Sequence, residues 1–129
     1  MLFATVGLSH DEGTVARACG ITVYGCQMQD LVTGARSLGL NAALLRVLDG
    51  QGAVVALSHQ VPFVAMIDVA TLHNVLPMLQ WHFVVPLALV QDEVVFHDPV
   101  AGPDRRAKLD DFVGAWAMAG YGGVRVWTP

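Results

Sequence analysis

Two short words sixteen positions apart, Trp81-His82-Phe83-Val84-Val85 and Val95-Phe96-His97-Asp98-Pro99, carry the residues best suited to chemistry in this chain. Each word lies in an apolar run that reads as a β-strand. His82 opens one strand and Asp98 closes the other, so antiparallel pairing brings an imidazole and a carboxylate to one end of a sheet. There a carboxylate holds the imidazole in one tautomer and stabilises its cation, the orienting half of a triad whose third member is a cysteine or serine nucleophile. The same pair on neighbouring strands is also a common structural contact with no chemistry, and the nucleophile separates the two readings.

The candidates for other chemistry are few. Cys19 and Cys26 show no CxxC or Cys/His ligand spacing and are too few for a disulfide framework, so reduced thiols in a cytoplasmic setting are expected. Cys26 precedes a helix, where the dipole lowers a thiol pKa, whereas Cys19 reads as a small buried hydrophobe. His10, His59, His73 and His97 form no ligand pattern with His82 and a confirming carboxylate, and His97 falls on the opposite strand face from Asp98. No metal or other cofactor is expected.

The elements that must position the pair follow from pattern. Gln27 to Leu38 places Met28, Leu31, Val32, Ala35 and Leu38 at helical offsets, with Gly39 as the stop. A short helix is expected from about His10 to Ala18, capped by Ser9, and another from Ala53 to Leu57. Ala42 to Val47 reads as a strand followed by an Asp49-Gly50 turn, and Pro62 to Ile67 as a buried strand. Thr71 to Met78 reads as a loop. Trp81 to Val90 and Glu93 to His97 make a hairpin around Gln91-Asp92, with Pro86 at an edge or bulge. Gly102-Pro103-Asp104 reads as a turn, Leu109 to Trp116 as a helix presenting Leu109, Phe112, Val113 and Trp116 on one face, and Val124 to Trp127 as a last strand. Helices followed by a mostly antiparallel sheet make the class α+β.

Bulk composition narrows the function. The 129 residues suit a single domain, one that buries roughly two thirds of its unfolded surface. Hydrophobic residues reach 54% and charged ones only 14%, which suggests apolar surface covered by a partner or by a further segment. Pro62, Pro77, His82 and Pro86 interrupt the apolar stretches before any reaches the ~18–20 residues of a membrane helix. With a net charge of −4 and only Arg105, Arg106 and Lys108 clustered, a nucleic-acid partner is excluded. A signal peptide is not expected from Met1-Leu2-Phe3-Ala4-Thr5-Val6, which lacks a basic flank and, read as a helix, lacks an N-cap.

These words resemble the C39 peptidase family, papain-like cysteine peptidases that remove leader peptides after a double glycine and often form the cytoplasmic domain of bacteriocin-exporting ABC transporters. His82-Phe83-Val84-Val85 is similar to the family's His-Tyr/Phe-Val-Val, and Asp98-Pro99 to its Asp-Pro sixteen residues later. Pro62 to Ile67 is similar to its Pro-Phe-type strand, Gln27 to Leu40 to its helix ending in Leu-Gly-Leu, and Leu109, Phe112 and Trp116 to its closing pattern, with one step a residue shorter. Met1 to Gly7 looks like the last two turns of the helix that begins Cys-Gly-x-Ala, with Val6 in place of tyrosine, and Gly25-Cys26 stands for the usual Gly-Thr.

The resemblance implies a papain-like fold over residues 1–129 with an incomplete first helix, His82 as base and Asp98 as orienter. It places the cysteine about two turns upstream of Met1 and the oxyanion-hole glutamine further upstream. The implied partners are a peptide with a double-glycine leader and an ABC exporter, and the groove left by an incomplete helix implies self-association into a homo-oligomer. As written, the 129 residues are not expected to cleave. The alternative is a degenerate, non-catalytic domain that binds a peptide or transporter partner, with His82 and Asp98 as relics. A plain structural module with no peptide affinity is the third class.

Overall fold

The computed structural model describes residues 28–58, 63–73, 81–98 and 101–128, which form four helices and one six-stranded sheet. Helix α1 (Met28–Ser37) buries Val32 and Ala35, as its apolar stripe requires. Gly39 ends it at φ 86°: the Leu40 N–H bonds back to the Ala35 carbonyl and the Gly39 N–H to that of Arg36, both at 3.1 Å. This Schellman closure folds Leu40 onto the apolar cluster that holds Ala35.

Strand β1 (Asn41–Leu44) stops three residues before the expected Val47. The Asp49-Gly50 turn signal instead opens helix α2 (Gly50–Ser58). The Asp49 carboxylate accepts the Gly52 N–H at 2.8 Å and its carbonyl accepts the Ala53 N–H at 3.0 Å, so the aspartate is an N-cap.

Strand β2 (Phe63–Asp68) is followed directly by the single turn α3 (Val69–Leu72), which takes up Thr71 and Leu72 from the expected loop. The hairpin is present as β3 (Trp81–Val90) and β4 (Glu93–Asp98), with Gln91 at φ 57° in the bend. Strand β5 (Gly102–Lys108), helix α4 (Leu109–Met118) and β6 (Gly123–Trp127) complete the set. Gly102-Pro103-Asp104 is thus part of an edge strand rather than a turn. Its turn chemistry is expressed inside β5, where Gly102 and Asp104 take φ 112° and 57° and the register slips opposite Phe96 and Asp98. Pro103 is tolerated because β5 is an edge. The helix expected at His10–Ala18, the Met1–Val6 segment, both cysteines and most of the Thr71–Met78 loop lie outside the described residues.

The sheet order is β1-β6-β2-β3-β4-β5, every pair antiparallel. Strand β3 works as a splice. Its first residues pair with β2, from Trp81 opposite Asp68 to Val84 opposite Ala65, and from Val85 onward it pairs with β4. Pro86 lies past the last β2 contact and beside a register shift, so its missing N–H removes no bond to β2.

Alternation along the strands divides the core. On one face Phe63, Ala65, Ile67, Val84, Val94 and Phe96 pack against Ala53 and Leu57 of α2 and Phe112, Ala115 and Trp116 of α4. On the other, Val64, Val85, Val124 and Val126 pack against α1. Both faces of β2 are covered, which matches its apolar run from Phe63 to Ile67. Trp116 fixes α4 to the sheet: its ring stacks on Phe63 at 5.5 Å and its Nε1 donates to the Gly122 carbonyl at 2.9 Å. Helix α4 ends in a second Schellman closure, with Gly120 at φ 67° and the Tyr121 N–H on the Trp116 carbonyl at 3.0 Å.

Candidate functional site

His82 is the second residue of β3, opposite Ile67 of β2, and lies two residues before Val84, so its side chain emerges on the face covered by α4. Asp98 is the last residue of β4. Their strands converge so that His82 Nε2 is 2.7 Å from Asp98 Oδ1. The same oxygen accepts the Ala101 N–H at 3.1 Å, which fixes the carboxylate as the chain turns toward β5. The side chains are 23% and 17% exposed, enough for solvent and a ligand to reach the ring while its edge stays held.

This geometry sets the chemistry of the ring. A carboxylate only accepts, so Nε2 carries the proton and donates it to Asp98. In the neutral imidazole the lone pair then sits on Nδ1, the nitrogen through which the ring takes up or delivers a proton. When Nδ1 gains a proton, the cation stands against an aligned carboxylate, a charge-assisted contact stronger than a neutral one. The structure therefore provides a tautomer-fixed acid–base group on a rigid sheet.

Of the other sequence candidates, His10, His59, Cys19 and Cys26 lie outside the described residues, and His73 lines a cavity of about 440 Å³ together with Asp98. His97 pairs with Val85, whose side chain belongs to the cluster under α1, so the two face away from α4. His73 ends α3, its N–H on the Val69 carbonyl at 3.2 Å. Among the described residues no group of three or more His, Cys, Asp and Glu side chains could hold a metal ion. Nor is any helix among them long and apolar enough to cross a membrane.

Sequence reasoning misses Asp68, the fully buried carboxylate opposite Trp81. Thr71 Oγ1 donates to its Oδ2 at 2.5 Å, tying α3 to the end of β2 beside the residue that precedes His82. An acid that ends an apolar strand three residues before a threonine is the signal that could have found it. Trp81 itself is half exposed and, as the strand neighbour of His82, faces the opposite side of the sheet.

The fold is shared with solved structures. Over 99% of its length the chain superposes on the peptidase domain of Streptococcus ComA, a bifunctional ABC transporter involved in a quorum-sensing pathway, with a TM-score of 0.75, 12% identity and 85% of that domain covered. A C39-like peptidase structure from Bacillus anthracis gives a TM-score of 0.75, 14% identity, and coverage of 99% and 84%. A double-glycine-motif protease from an AMS/PCAT transporter, solved in complex with the leader peptide, gives 0.70, 19%, 98% and 76%. No protein-family model and no curated protein matches the sequence.

Proposed function

We propose that this chain, which has the α+β fold of C39 peptidase domains, is the base-bearing part of a thiol peptidase for double-glycine leader peptides. The observation that carries the proposal is the 2.7 Å contact between His82 and Asp98 at the splice of the sheet. In this reading Nδ1 of His82 takes the proton of a cysteine thiol, leaving a thiolate–imidazolium pair that Asp98 stabilises through Nε2. The thiolate attacks the carbonyl carbon of the second glycine, and the bond from that carbon to the next residue's nitrogen breaks. The imidazolium then delivers its proton to the leaving amine, and His82 activates the water that releases the acyl group. Association with an ABC exporter at the cytoplasmic face of the membrane belongs to the same proposal, supported by the transporter origin of two of the similar structures.

The nucleophile is tested first at the DNA. A Cys-Gly-x-Ala codon series in frame about two helical turns upstream of Met1 is the expected finding. The product that includes it should cleave a leader peptide after Gly-Gly, and His82→Ala should lower turnover by on the order of 10⁴-fold or more. An upstream cysteine with no cleavage of any such peptide refutes the proposal.

A second reading is a non-catalytic domain that binds the peptide or a transporter partner. It is favoured by the sequence around the chain's two cysteines, Ala18-Cys19-Gly20-Ile21-Thr22 and Gly25-Cys26-Gln27, neither of which reads Cys-Gly-x-Ala. Saturable leader-peptide binding by the 129-residue chain without cleavage, and no cysteine upstream, is its expected signature. Absence of both binding and cleavage points to the structural module.

A further inference from the structure

The two edges of the sheet are built differently. At one edge β5 carries Pro103, Asp104, Arg105, Arg106 and Lys108 and is bent by a bulge, the usual devices against unwanted strand pairing. At the other, β1 reads Asn-Ala-Ala-Leu with no charge and no proline. Its hydrogen bonding shows which groups face outward. The Leu45 N–H bonds inward to the Gly123 carbonyl at 2.8 Å, so by alternation Ala42 and Leu44 point their main-chain groups to the open side. Arg36 of α1 confirms this, donating to the Ala42 carbonyl from Nη2 at 2.9 Å and Nε at 3.2 Å. That acceptor is taken, and Leu44 presents the next donor and acceptor along the edge.

Beside Leu44 opens a cavity of about 560 Å³ between β1, α2 and β6, with Phe63 in its wall. Leu44 and Val55 line it and are 48% and 56% exposed, and Leu48 beyond it is 91% exposed. Arg46 and Arg125 also line it, and among the described residues no acidic one does. Among the described residues neither arginine is in an ion pair, and the Arg125 guanidinium lies over the Trp127 ring at 5.6 Å. In a chain of net charge −4, this places two arginines without an ion-pair partner among the described residues on the rim of an apolar hollow, at a strand edge that carries neither charge nor proline.

We infer that this edge docks an extended peptide segment of a partner protein in which acidic and aliphatic residues share one face, at every second position. The segment adds to the sheet from Leu44 toward Leu48, places an aliphatic side chain in the cavity and sets carboxylates against Arg46 and Arg125. A second copy of this chain is the wrong occupant, because a two-fold pairing of β1 with itself would gather Arg36, Arg46 and Arg125 of both copies along one seam. The surface is distinct from the His82–Asp98 pair. Phe63 lies four residues before Ile67 on β2, roughly 13 Å along the strand, and β6 is two strands from β3, about 10 Å across.

The test is fluorescence anisotropy of a dye-labelled, end-capped octapeptide with serine at every second position and glutamate, valine, glutamate and valine at the others, titrated with the 129-residue chain. Saturable binding is expected, with no binding of the lysine-for-glutamate peptide. The Arg46→Gln, Arg125→Gln double variant should bind at least roughly tenfold more weakly with an unchanged thermal melt. Val55→Glu, which sets a carboxylate in the cavity mouth of an exposed helix position, should weaken binding independently. Equal binding of the lysine peptide, full affinity in both variants, no saturation up to about 1 mM, or a dimer whose formation blocks the peptide would each overturn the inference.

Discussion

Gly122 and Gly123 are adjacent, and the structure assigns them opposite tolerances for a methyl group. A Cβ on Gly123 would lie 2.5 Å from the Val64 carbonyl oxygen and 2.7 Å from Leu45 Cδ1. The Val64 carbonyl belongs to β2, which pairs with β6 at this point through Ala65 opposite Gly123 and Val64 opposite Val124. Relieving the contact requires the two strands to part by several tenths of an ångström, against ladder bonds on both sides and a packed core beneath. Overpacking of a rigid site costs about 1–3 kcal/mol, and the stiffer unfolded chain of an alanine returns only about 0.4–1 kcal/mol. Gly123→Ala should therefore destabilise by about 2 kcal/mol, a fall in melting temperature of roughly 6–10 °C for a chain of this length. A Cβ on Gly122 meets Met28 Cε at 2.7 Å and Sδ at 2.8 Å, the far end of a flexible side chain that can swing aside. Gly122→Ala should cost less than about 1 kcal/mol. Urea unfolding followed by circular dichroism measures both. Equal effects, or a Gly123→Ala protein as stable as the parent, would refute the assignment of a rigid wall to one glycine and a soft one to the other.

Trp116→Phe keeps the aromatic stack on Phe63 but removes the indole bond to Gly122, whose carbonyl still accepts the Met66 N–H at 2.9 Å. A loss of about 1–2 kcal/mol in urea unfolding is expected. Asp49→Ala removes the cap of α2 and should cost about 1 kcal/mol, with Asp49→Ser recovering most of it in the same assay. In a protein that includes an upstream cysteine, Asp98→Ala should lower leader-peptide turnover with little change in KM, because Asp98 acts through His82 rather than on the peptide. A rise in KM alone would place Asp98 in binding instead.

The parts of this fold that the sequence reveals are those where local chemistry and tertiary packing agree. The stripe on α1, its Gly39 stop, the bend at Gln91-Asp92 and the helix bearing Phe112 and Trp116 all carry their own signals, and the His82–Asp98 contact follows from placing one residue at the start of β3 and the other at the end of β4. The misreadings fall where one signal has two physical outcomes. Asp49-Gly50 favours a turn but equally a capped helix, and the helical positions that follow it decide. Gly102-Pro103-Asp104 contains turn residues, yet the β4 edge next to it supplies ladder partners that hold them extended around a bulge. Asp68 escapes notice because burial of a carboxylate depends on Thr71 and on the layers around it, which no local pattern announces.

Because β3 changes partners between Val84 and Val85, the sheet consists of two panels sharing one strand. His82 belongs to the panel with β1, β6 and β2, and Asp98 to the panel with β4 and β5. Their contact is consequently a latch across the seam, closed only when the panels hold one relative twist. The bulges beside the seam, at Pro86 and at Asp98, set that twist through backbone geometry. Residues far from the pair, on either panel, thus govern whether the imidazole is aligned, and the alignment of this pair is a property of the whole sheet.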